Sequence, residues 1–199
     1  MRDRYSDLVN SGPGSRLAGM LGLPRPVQLR RYATGQPLLA GPALVKGVGG
    51  GPLLPHIRRI LASAAADVIA AEVASYDCRL GAVVIDVSDA RAVDDLESLR
   101  AVLAPSLRRL DDCARIVLVG TPPESLTDPA AAATQRALEG IVRSVAKELR
   151  AGATANLIYA AQGAGPALES PLRFLLSARS AYVDGQVIRV ASAAVTPPA

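Results

Sequence analysis

The sequence has few of the side chains that carry most metal and acid–base chemistry. Its 199 residues include one histidine, His56, and two cysteines, Cys78 and Cys113, which form no CxxC motif. A zinc site needs several Cys, His or carboxylate ligands at suitable spacing, and a Ser-His-Asp hydrolase would need a GxSxG turn, which is absent here. The sequence therefore argues against a metal centre and a serine hydrolase. The cysteines are expected to be buried free thiols in a reducing cytosol.

Aromatic residues are also scarce, and the excess positive charge lies at one end of the chain. Phe, Tyr and Trp make up 3% of the residues. The net charge of +4 lies in residues 1–41, whereas the remainder holds 16 basic and 16 acidic residues. The basic residues of this end are Arg2, Arg4, Arg16, Arg25, Arg30 and Arg31. A nucleic-acid-binding body would need a basic face with aromatic platforms, so no nucleic-acid partner is expected.

No segment of the sequence has the length and polarity of a membrane span. The most apolar long stretch, residues 60–74, contains Asp67 and Glu72, whereas a span needs about 20 predominantly apolar residues. The opening Met-Arg-Asp-Arg-Tyr does not continue into the apolar core of a signal peptide. We therefore expect a cytoplasmic protein with no membrane partner.

Aliphatic residues are abundant and fall into alternating strand-like and helix-like segments. Half of the residues are hydrophobic, a composition that suits a parallel sheet covered by helices. Strands are predicted at 43–46, 67–72, 81–87, 115–120, 154–159 and 186–190, and helices at 53–64, 94–110, 127–150 and 166–178. Pro105 is expected to kink or divide the second helix. The alternation predicts an α/β fold with a doubly wound, mostly parallel sheet of Rossmann or flavodoxin type, in three α/β/α layers.

Turn-forming residues divide the chain into three parts. Clusters of Gly and Pro lie at 10–14, 23–26 and 35–37. Because such clusters interrupt helices and strands, residues 1–41 are interpreted as an amino-terminal arm, with short helical pieces at 15–21 and 27–32. Residues 42–192 form the predicted domain, and residues 193–199 are interpreted as a Pro-rich tail or the start of a linker.

The helix predicted at 127–150 has an apolar stripe along one face. Its residues are Leu138, Ile141, Val142, Val145, Ala146 and Leu149. Full burial of each large aliphatic side chain contributes about 1.5–3 kcal/mol before the entropy loss is subtracted, so the stripe is expected to be covered. Either it packs only on the sheet, or its flank also makes a contact between subunits.

Two carboxyl-terminal segments resemble short-chain dehydrogenases/reductases. Residues 136–150, Arg-Ala-Leu-Glu-Gly-Ile-Val-Arg-Ser-Val-Ala-Lys-Glu-Leu-Arg, are similar to the helix that follows the catalytic tyrosine and lysine of that superfamily. Residues 175–188, which include Tyr182-Val-Asp-Gly-Gln, are similar to the segment that enters its last strand, and Asn156 also fits. The resemblance implies a Rossmann-type fold and a superfamily whose chemistry is NAD(P)H-dependent reduction.

The amino-terminal segments narrow the resemblance. Residues 7–14, 21–24 and 29–32 are similar to the first, flavodoxin-like domain of high-molecular-weight 3-oxoacyl-acyl-carrier-protein reductases, which act in fatty-acid metabolism. In that family the segment Thr-Pro-Pro-Ala leads into a ketoreductase domain that uses NAD(P)H. The resemblance implies such a domain as partner, and two alternatives stay open: either it follows residue 199, or the chain is a stand-alone half.

The superfamily's reductase chemistry uses a Tyr-x-x-x-Lys pair and a serine, and these positions are changed here. The resemblance places Ala131 at the tyrosine position, Gln135 at the lysine position and Thr121 near the serine position. Alanine has no proton to donate to a developing alkoxide, and glutamine lacks the charge that lowers the pKa of the tyrosine. The resemblance therefore implies no catalytic residue in this chain.

The glycine-rich turn Gly47–Gly51 is the remaining trace of a cofactor site. It is shorter than the superfamily's Thr-Gly-x-x-x-Gly-x-Gly, and the nearby Pro52 and Pro55 lack amide donors for a phosphate. Glu72 is the one candidate ribose ligand, and Ile85-Asp-Val-Ser88 replaces the superfamily's Asn-Ala-Gly. We predict no cofactor-binding residue, with a residual nucleotide or flavin site at this turn as the alternative.

These observations lead to one main hypothesis and two alternatives. The main hypothesis is a non-catalytic domain that forms a homodimer and supports a ketoreductase domain. Its arm, with Arg30 and Arg31, would lie across that domain or against acidic acyl carrier protein. The alternatives are a flavodoxin-type nucleotide or flavin module and a divergent NAD(P)H-dependent reductase. Tyr182 is expected either at a domain or subunit boundary or at the edge of the core.

Overall fold

Strands and helices alternate along the part of the chain that the computed structural model describes, residues 11–13, 16, 20–21, 28–69 and 78–192. The strands within these ranges are β1 (Ala43–Gly47), β2 (Val68–Ile69), β3 (Leu80–Asp86), β4 (Leu110–Gly120), β5 (Thr154–Ala160) and β6 (Val187–Val190). The α-helices of 28–69 and 78–192 are α1 (Leu54–Ser63), α2 (Asp95–Leu107), α3 (Pro129–Glu148) and α4 (Glu169–Leu176).

The six strands form one sheet in the order β2-β1-β3-β4-β5-β6. Every neighbouring pair is parallel, so the carboxyl ends of all strands lie at one edge. There Gly47 pairs with Asp86, Asp86 pairs with Val119, and Gly120 pairs with Tyr159. This register brings together the loops that follow β1, β3 and β4, at the edge where open α/β sheets bind ligands.

Helices cover both faces of the sheet, as the sequence predicts. Alternate residues of a strand point to opposite faces, and β3 shows the division: Val83 and Ile85 pack on the side of α2 and α3, whereas Val84 packs on the side of α1 and α4. Both faces are aliphatic, as expected for a parallel sheet covered on both sides. The fold is therefore the predicted three-layer α/β/α arrangement.

Local signals explain where α2 and α3 begin. The Asp128 side chain accepts a hydrogen bond from the amide of Ala130 at 3.1 Å, and Pro129 occupies the first turn of α3, where a missing amide leaves no helix bond unmade. At α2, the Asp95 carboxylate accepts from the amides of Ala92 and Arg91, which lowers the pKa of Asp95. Asp128 therefore satisfies an amide that α3 leaves free, whereas Asp95 holds the turn that precedes α2.

The end of α2 differs from the prediction. The helix ends at Leu107, and Leu110 already pairs with Leu80 in the sheet. Pro105 lies inside the helix and does not divide it, although it has no amide hydrogen to donate to the carbonyl of Ala101. Residues 108–110, predicted as helix, therefore form the turn into β4 and its first residue.

The predicted helix at 166–178 is also shorter and interrupted. It consists of a 3₁₀ turn at Gly165–Leu168, then α4, then a second 3₁₀ turn at Ala178–Ser180. Ser177 separates the last two, because its backbone is extended and its hydroxyl accepts from the amide of Arg179 at 3.2 Å. The strand predicted at 67–72 is described only as Val68–Ile69, since residues 70–72 lie outside the described ranges.

Residues 28–41, the longest described stretch of the arm, lie along the body without regular structure. Residues 28–32 are not helical, so the helical piece predicted there is wrong, and the piece at 15–21 lies mostly outside the described residues. The Arg30 guanidinium donates to the carbonyls of Leu38, at 3.2 Å, and Pro37. Tyr32 lies 4.1 Å from the Arg179 guanidinium, a cation–π contact with the body.

Two further expectations concern membrane helices and cysteines. Within the described ranges, no helix combines the length and the apolar character needed to cross a bilayer. Cys78 and Cys113 are both free, but they are half-buried and not buried as predicted. The Cys113 Sγ accepts a hydrogen bond from the amide of Arg30 at 3.3 Å, so this thiol contacts the arm.

Candidate functional site at the carboxyl edge of the sheet

Gln135, which the sequence resemblance predicts at a reductase's lysine position, lies at the centre of this edge. Its side chain is 0% exposed. The Nε2 group donates to the carbonyls of Val87 at 2.8 Å and Ala90 at 2.9 Å, and Oε1 accepts from the amide of Thr121 at 2.9 Å. The amide thereby joins the loop after β3 to the loop after β4. Gln135 is a structural crosslink at a position where a reductase carries a charged group.

The two other positions of the reductase triad have no free acid. Ala131 is buried one helical turn before Gln135 and contributes a methyl group. The Thr121 hydroxyl donates to the carbonyl of Ser88 at 2.8 Å, so its proton is already engaged. Thr121 and Gln135 are joined at this edge, and the Ala131 methyl and the engaged Thr121 hydroxyl differ from the free proton donor that carbonyl reduction needs.

Tyr159 adds a phenol to the same cluster, which the sequence analysis did not single out. The side chain is fully buried, and its hydroxyl donates to the backbone carbonyl of Gln135 at 2.7 Å. Burial raises the pKa of Tyr159 to about 12, whereas a general acid works best with a pKa near the operating pH. Tyr159 therefore keeps its proton in a structural hydrogen bond.

The end of β3 supplies a buried carboxylate, Asp86. Its Oδ2 accepts from the amide of Leu53 at 2.7 Å, and its Oδ1 accepts from the amide and the hydroxyl of Ser88 at 3.1 and 2.6 Å. Leu53 is the N-cap residue of α1, so the carboxylate lies at the positive end of that helix. The helix end and three hydrogen bonds stabilise a group that would be costly to bury without partners.

Asp89 contacts the outer side of the glycine-rich turn. Its Oδ2 accepts from the amide of Gly50 at 3.0 Å, and its Oδ1 lies 3.6 Å from the Arg91 guanidinium. Gly49 and Gly51 have φ values of +69° and +54°, a region that glycine adopts at little cost. The turn predicted from the sequence is present, but the amide of Gly50 bonds to the loop after β3.

Sequence analysis missed the roles of Asp86 and Asp89. The available signal was an acidic residue at the carboxyl end of an apolar strand, followed by another three residues later. That signal locates a contact only if the neighbouring strand is known. The pairing of β1 with β3, which places Asp86 opposite Gly47, is a property of the sheet order.

The other residues singled out from the sequence lie outside this cluster. Tyr182 is 87% exposed, so the core-edge interpretation of it is wrong. The Asn156 side chain donates to the carbonyl of Val183 and accepts from the amide of Gln186, which ties β5 to the segment before β6. Glu72 lies outside the described residues. Within the described ranges, no group of three or more His, Cys, Asp or Glu side chains is placed to hold a metal ion.

A second surface lies on the outer side of α2 and α3. The two helices border a groove of about 840 Å³. Its lining is mainly apolar and includes Leu96, Leu103, Ile141 and Val145, which come from both helices. A Cβ built on Gly140, in the same lining, meets no atom within 4 Å. Of the predicted stripe, Leu138 and Val142 are buried on the sheet, whereas Ile141 and Val145 line this groove.

No family model matches the chain, and no curated protein is similar to it. A short chain dehydrogenase from Burkholderia cenocepacia in complex with NADP has a TM-score of 0.60 at 16% identity, over 78% of this chain and 98% of that chain. A short-chain dehydrogenase/reductase from Serratia marcescens has a TM-score of 0.58 at 20% identity, over the same shares. BdcA from E. coli has a TM-score of 0.57 at 16% identity, over 78% of this chain and 100% of that chain. With its parallel sheet between two helical layers, the chain has the Rossmann-type fold of the short-chain dehydrogenases/reductases.

Proposed function

We propose that this chain is a non-catalytic domain with the reductase fold, which forms a homodimer and supports the ketoreductase domain of a 3-oxoacyl-acyl-carrier-protein reductase. The narrower family is supported by the resemblance of the amino-terminal segments at 7–14, 21–24 and 29–32. In this proposal NAD(P)H belongs to the partner domain. Of Arg30 and Arg31, Arg31 is exposed, whereas the Arg30 guanidinium donates to carbonyls within the arm.

The observation that carries the proposal is the buried crosslink made by Gln135. A lysine at 135 would retain carbonyl acceptors at Val87 and Ala90, but it would turn a positive charge toward the amide of Thr121, which donates to Oε1 now. The packing at this edge is therefore adapted to a neutral amide that gives and accepts hydrogen bonds. These residues do not fit the proton-transfer chemistry of a reductase, and no reaction step is assigned to them.

The experiment uses the purified 199-residue chain. NADPH oxidation is followed with an acetoacetyl thioester, and NADH, NADPH and FMN are titrated by calorimetry. We expect a folded protein without turnover and without cofactor binding tighter than a Kd of about 1 mM. Turnover that is lost in Thr121→Val would contradict the proposal. Micromolar FMN binding without turnover would favour the flavodoxin-type module.

The groove between α2 and α3 supports the homodimer. Half-buried Ile141 and Val145 expose apolar surface beside the open position Gly140, and contiguous apolar surface of this kind is typical of interaction sites. A two-fold axis along the groove would place the same apolar strip of two copies against each other, which is how most homodimers pair. We propose a second copy of this chain as the occupant.

A bulky residue at position 140 tests this assembly. A Cβ at position 140 meets no atom within 4 Å, so Gly140→Leu is expected to leave the fold intact while the longer side chain holds two copies apart. The matched control is Ala133→Leu, at an exposed position of the same helix outside the groove. Sedimentation is expected to show a dimer for the unmodified chain and the control, and a monomer for Gly140→Leu. A dimer in all three proteins would place the interface elsewhere.

A further inference from the structure

The glycine-rich turn keeps the donors of an anion site. In Rossmann-type folds the turn after the first strand and the start of the next helix present backbone amides and the positive end of the helix to a cofactor phosphate. Two amides of this region, those of Gly50 and Leu53, donate to oxygen atoms of this same chain. Their acceptors are Asp89 at 3.0 Å and Asp86 at 2.7 Å.

The carboxylates of Asp86 and Asp89 differ in burial. Asp86 is fully buried, and its second oxygen is held by Ser88, so it belongs to the packed interior of the edge. The Asp89 side chain is 41% exposed and pairs with Arg91, so it lies at the mouth of the turn. Removal of Asp89 is therefore expected to leave the core in place.

The turn is also closely filled. A Cβ built on Gly50 would stand 2.9 Å from Asp89 Oδ2, and a Cβ on Gly51 would stand 2.7 Å from Leu54 Cδ1. Asp89 thus closes one side of the turn and Leu54 the other. An external phosphate that approached the Gly50 amide would meet the negatively charged Asp89 carboxylate, which is already bonded there. Like charges in such close contact repel.

We propose that Asp86 and Asp89 are internal anions that replace a cofactor phosphate at the glycine-rich turn. Asp86 holds the start of α1, and Asp89 excludes an external anion from the amide of Gly50. The inference rests on the proposed function, because it explains how the turn is satisfied in a domain that uses no cofactor. It concerns phosphate-type anions, a chemistry shared by inorganic pyrophosphate and the diphosphate of a dinucleotide.

Asp89→Ala tests the inference directly. Inorganic pyrophosphate is titrated by calorimetry, at constant ionic strength, into the unmodified chain, Asp89→Ala and Asp112→Ala. Asp112 is an exposed aspartate near the opposite end of the parallel sheet, so its variant controls for the change in net charge. Asp89→Ala is expected to bind pyrophosphate about tenfold more tightly than the other two proteins. A change of this size is of the order that one charge-assisted hydrogen bond contributes to affinity. Equal affinities in all three proteins would overturn the inference.

Denaturation gives a second measurement. Asp89→Ala is expected to unfold at a lower urea concentration than the unmodified chain in chloride, and pyrophosphate should restore its midpoint while leaving that of Asp112→Ala unchanged. A midpoint of Asp89→Ala that does not respond to pyrophosphate would count against internal anions. NADPH binding by the unmodified chain would contradict both the proposed function and the inference, whereas an Asp89→Ala variant without gained pyrophosphate affinity would contradict the inference alone. The two failures are therefore distinguishable.

Discussion

Helix α3 contributes to two surfaces that differ in almost every respect. At the carboxyl edge of the sheet, its Gln135 is buried and bonded at both ends of its amide. Further along the same helix, Gly140, Ile141 and Val145 line an open apolar groove beside α2. The first surface is polar and filled by the protein's own groups, whereas the second is apolar and open. An enzyme of this fold needs the first surface open, because its ligands bind there.

The polar edge and the apolar groove differ in what each needs in order to be stable. A buried polar group without a partner costs about 1–3 kcal/mol, so an edge rich in backbone donors is stable without a ligand only if side chains such as Gln135 and Asp86 supply the partners. An apolar groove has no such requirement within one chain, and covering it favours association. The closed edge thus favours stability of the single chain, and the open groove favours assembly.

The largest effect is expected where a charge is placed into the closed edge. Gln135→Lys removes the acceptor of the Thr121 amide and buries an ammonium group without a carboxylate partner among its present contacts. We expect the free energy of unfolding to fall by about 3 kcal/mol or more, measured by urea denaturation.

Gln162→Lys is the control, because Gln162 is exposed in the loop after β5. Its free energy of unfolding should change by less than about 0.5 kcal/mol. If the two lysine variants proved equally stable, the crosslink at the edge would have no energetic role.

A second effect is expected at high pH. The pKa of Tyr159 is raised to about 12 by burial, so the folded state keeps the proton more tightly than the unfolded state, whose tyrosine titrates near 10. The contribution is fully present below pH 10 and is lost as the pH rises toward 12. Its size is about 3 kcal/mol, from about 1.4 kcal/mol per unit of pKa.

The measurement compares unfolding between pH 9 and 12 in the unmodified chain, Tyr159→Phe and Tyr182→Phe. Tyr159→Phe is expected to lose less stability across this range, whereas the exposed Tyr182→Phe should follow the unmodified chain. Parallel curves for all three proteins would show that Tyr159 ionises as easily in the folded state as in the unfolded one.

The smallest effects come from one methyl group added on each surface. A Cβ on Gly120 would stand 2.8 Å from Gln135 Oε1 and from Leu138 Cδ1, so Gly120→Ala is expected to cost about 1–3 kcal/mol through overpacking. A Cβ on Gly140 meets no atom within 4 Å, so Gly140→Ala is expected to stabilise α3 by about 1 kcal/mol through helix propensity. Denaturation of both variants at a concentration that keeps the chain monomeric measures the difference. If the free energy of unfolding changed with the same sign in both variants, the contrast between the closed edge and the open groove would be lost.

Much of the fold could be predicted from local pattern. The alternation of aliphatic strands and amphipathic helices predicted the layers and the parallel sheet, and Asp128 with Pro129 indicated the start of α3. The predicted end of α2 lay about one turn too late. The residues after Leu107 have no local stop signal, and Leu110 pairs with Leu80 in the sheet. Pairing across the sheet decided that boundary.

The candidate site was predictable only in part. Thr121 and Gln135 are joined by a hydrogen bond at the carboxyl edge, and Ala131 lies one helical turn from Gln135; their assignment to the reductase motif stays a prediction. The part played by Asp86, Asp89 and Tyr159 was not predicted, because their partners come from other strands and loops. Tyr159 also has no distinguishing neighbours in the sequence, since it is one aromatic residue in an aliphatic strand.

The sequence by itself determined which side chains are present, and with them the resemblance that predicts Ala131 and Gln135 at the tyrosine and lysine positions of a reductase. It also determined the order of strands and helices, because these depend on periodicity over a few residues. Only the tertiary structure decided that the Gln135 side-chain amide finds hydrogen-bond partners. It also decided that the amides of Gly50 and Leu53 bond to Asp89 and Asp86. The hydrogen bonds concerned join residues 14 to 48 positions apart, and contacts of that separation depend on how the strands are ordered in the sheet.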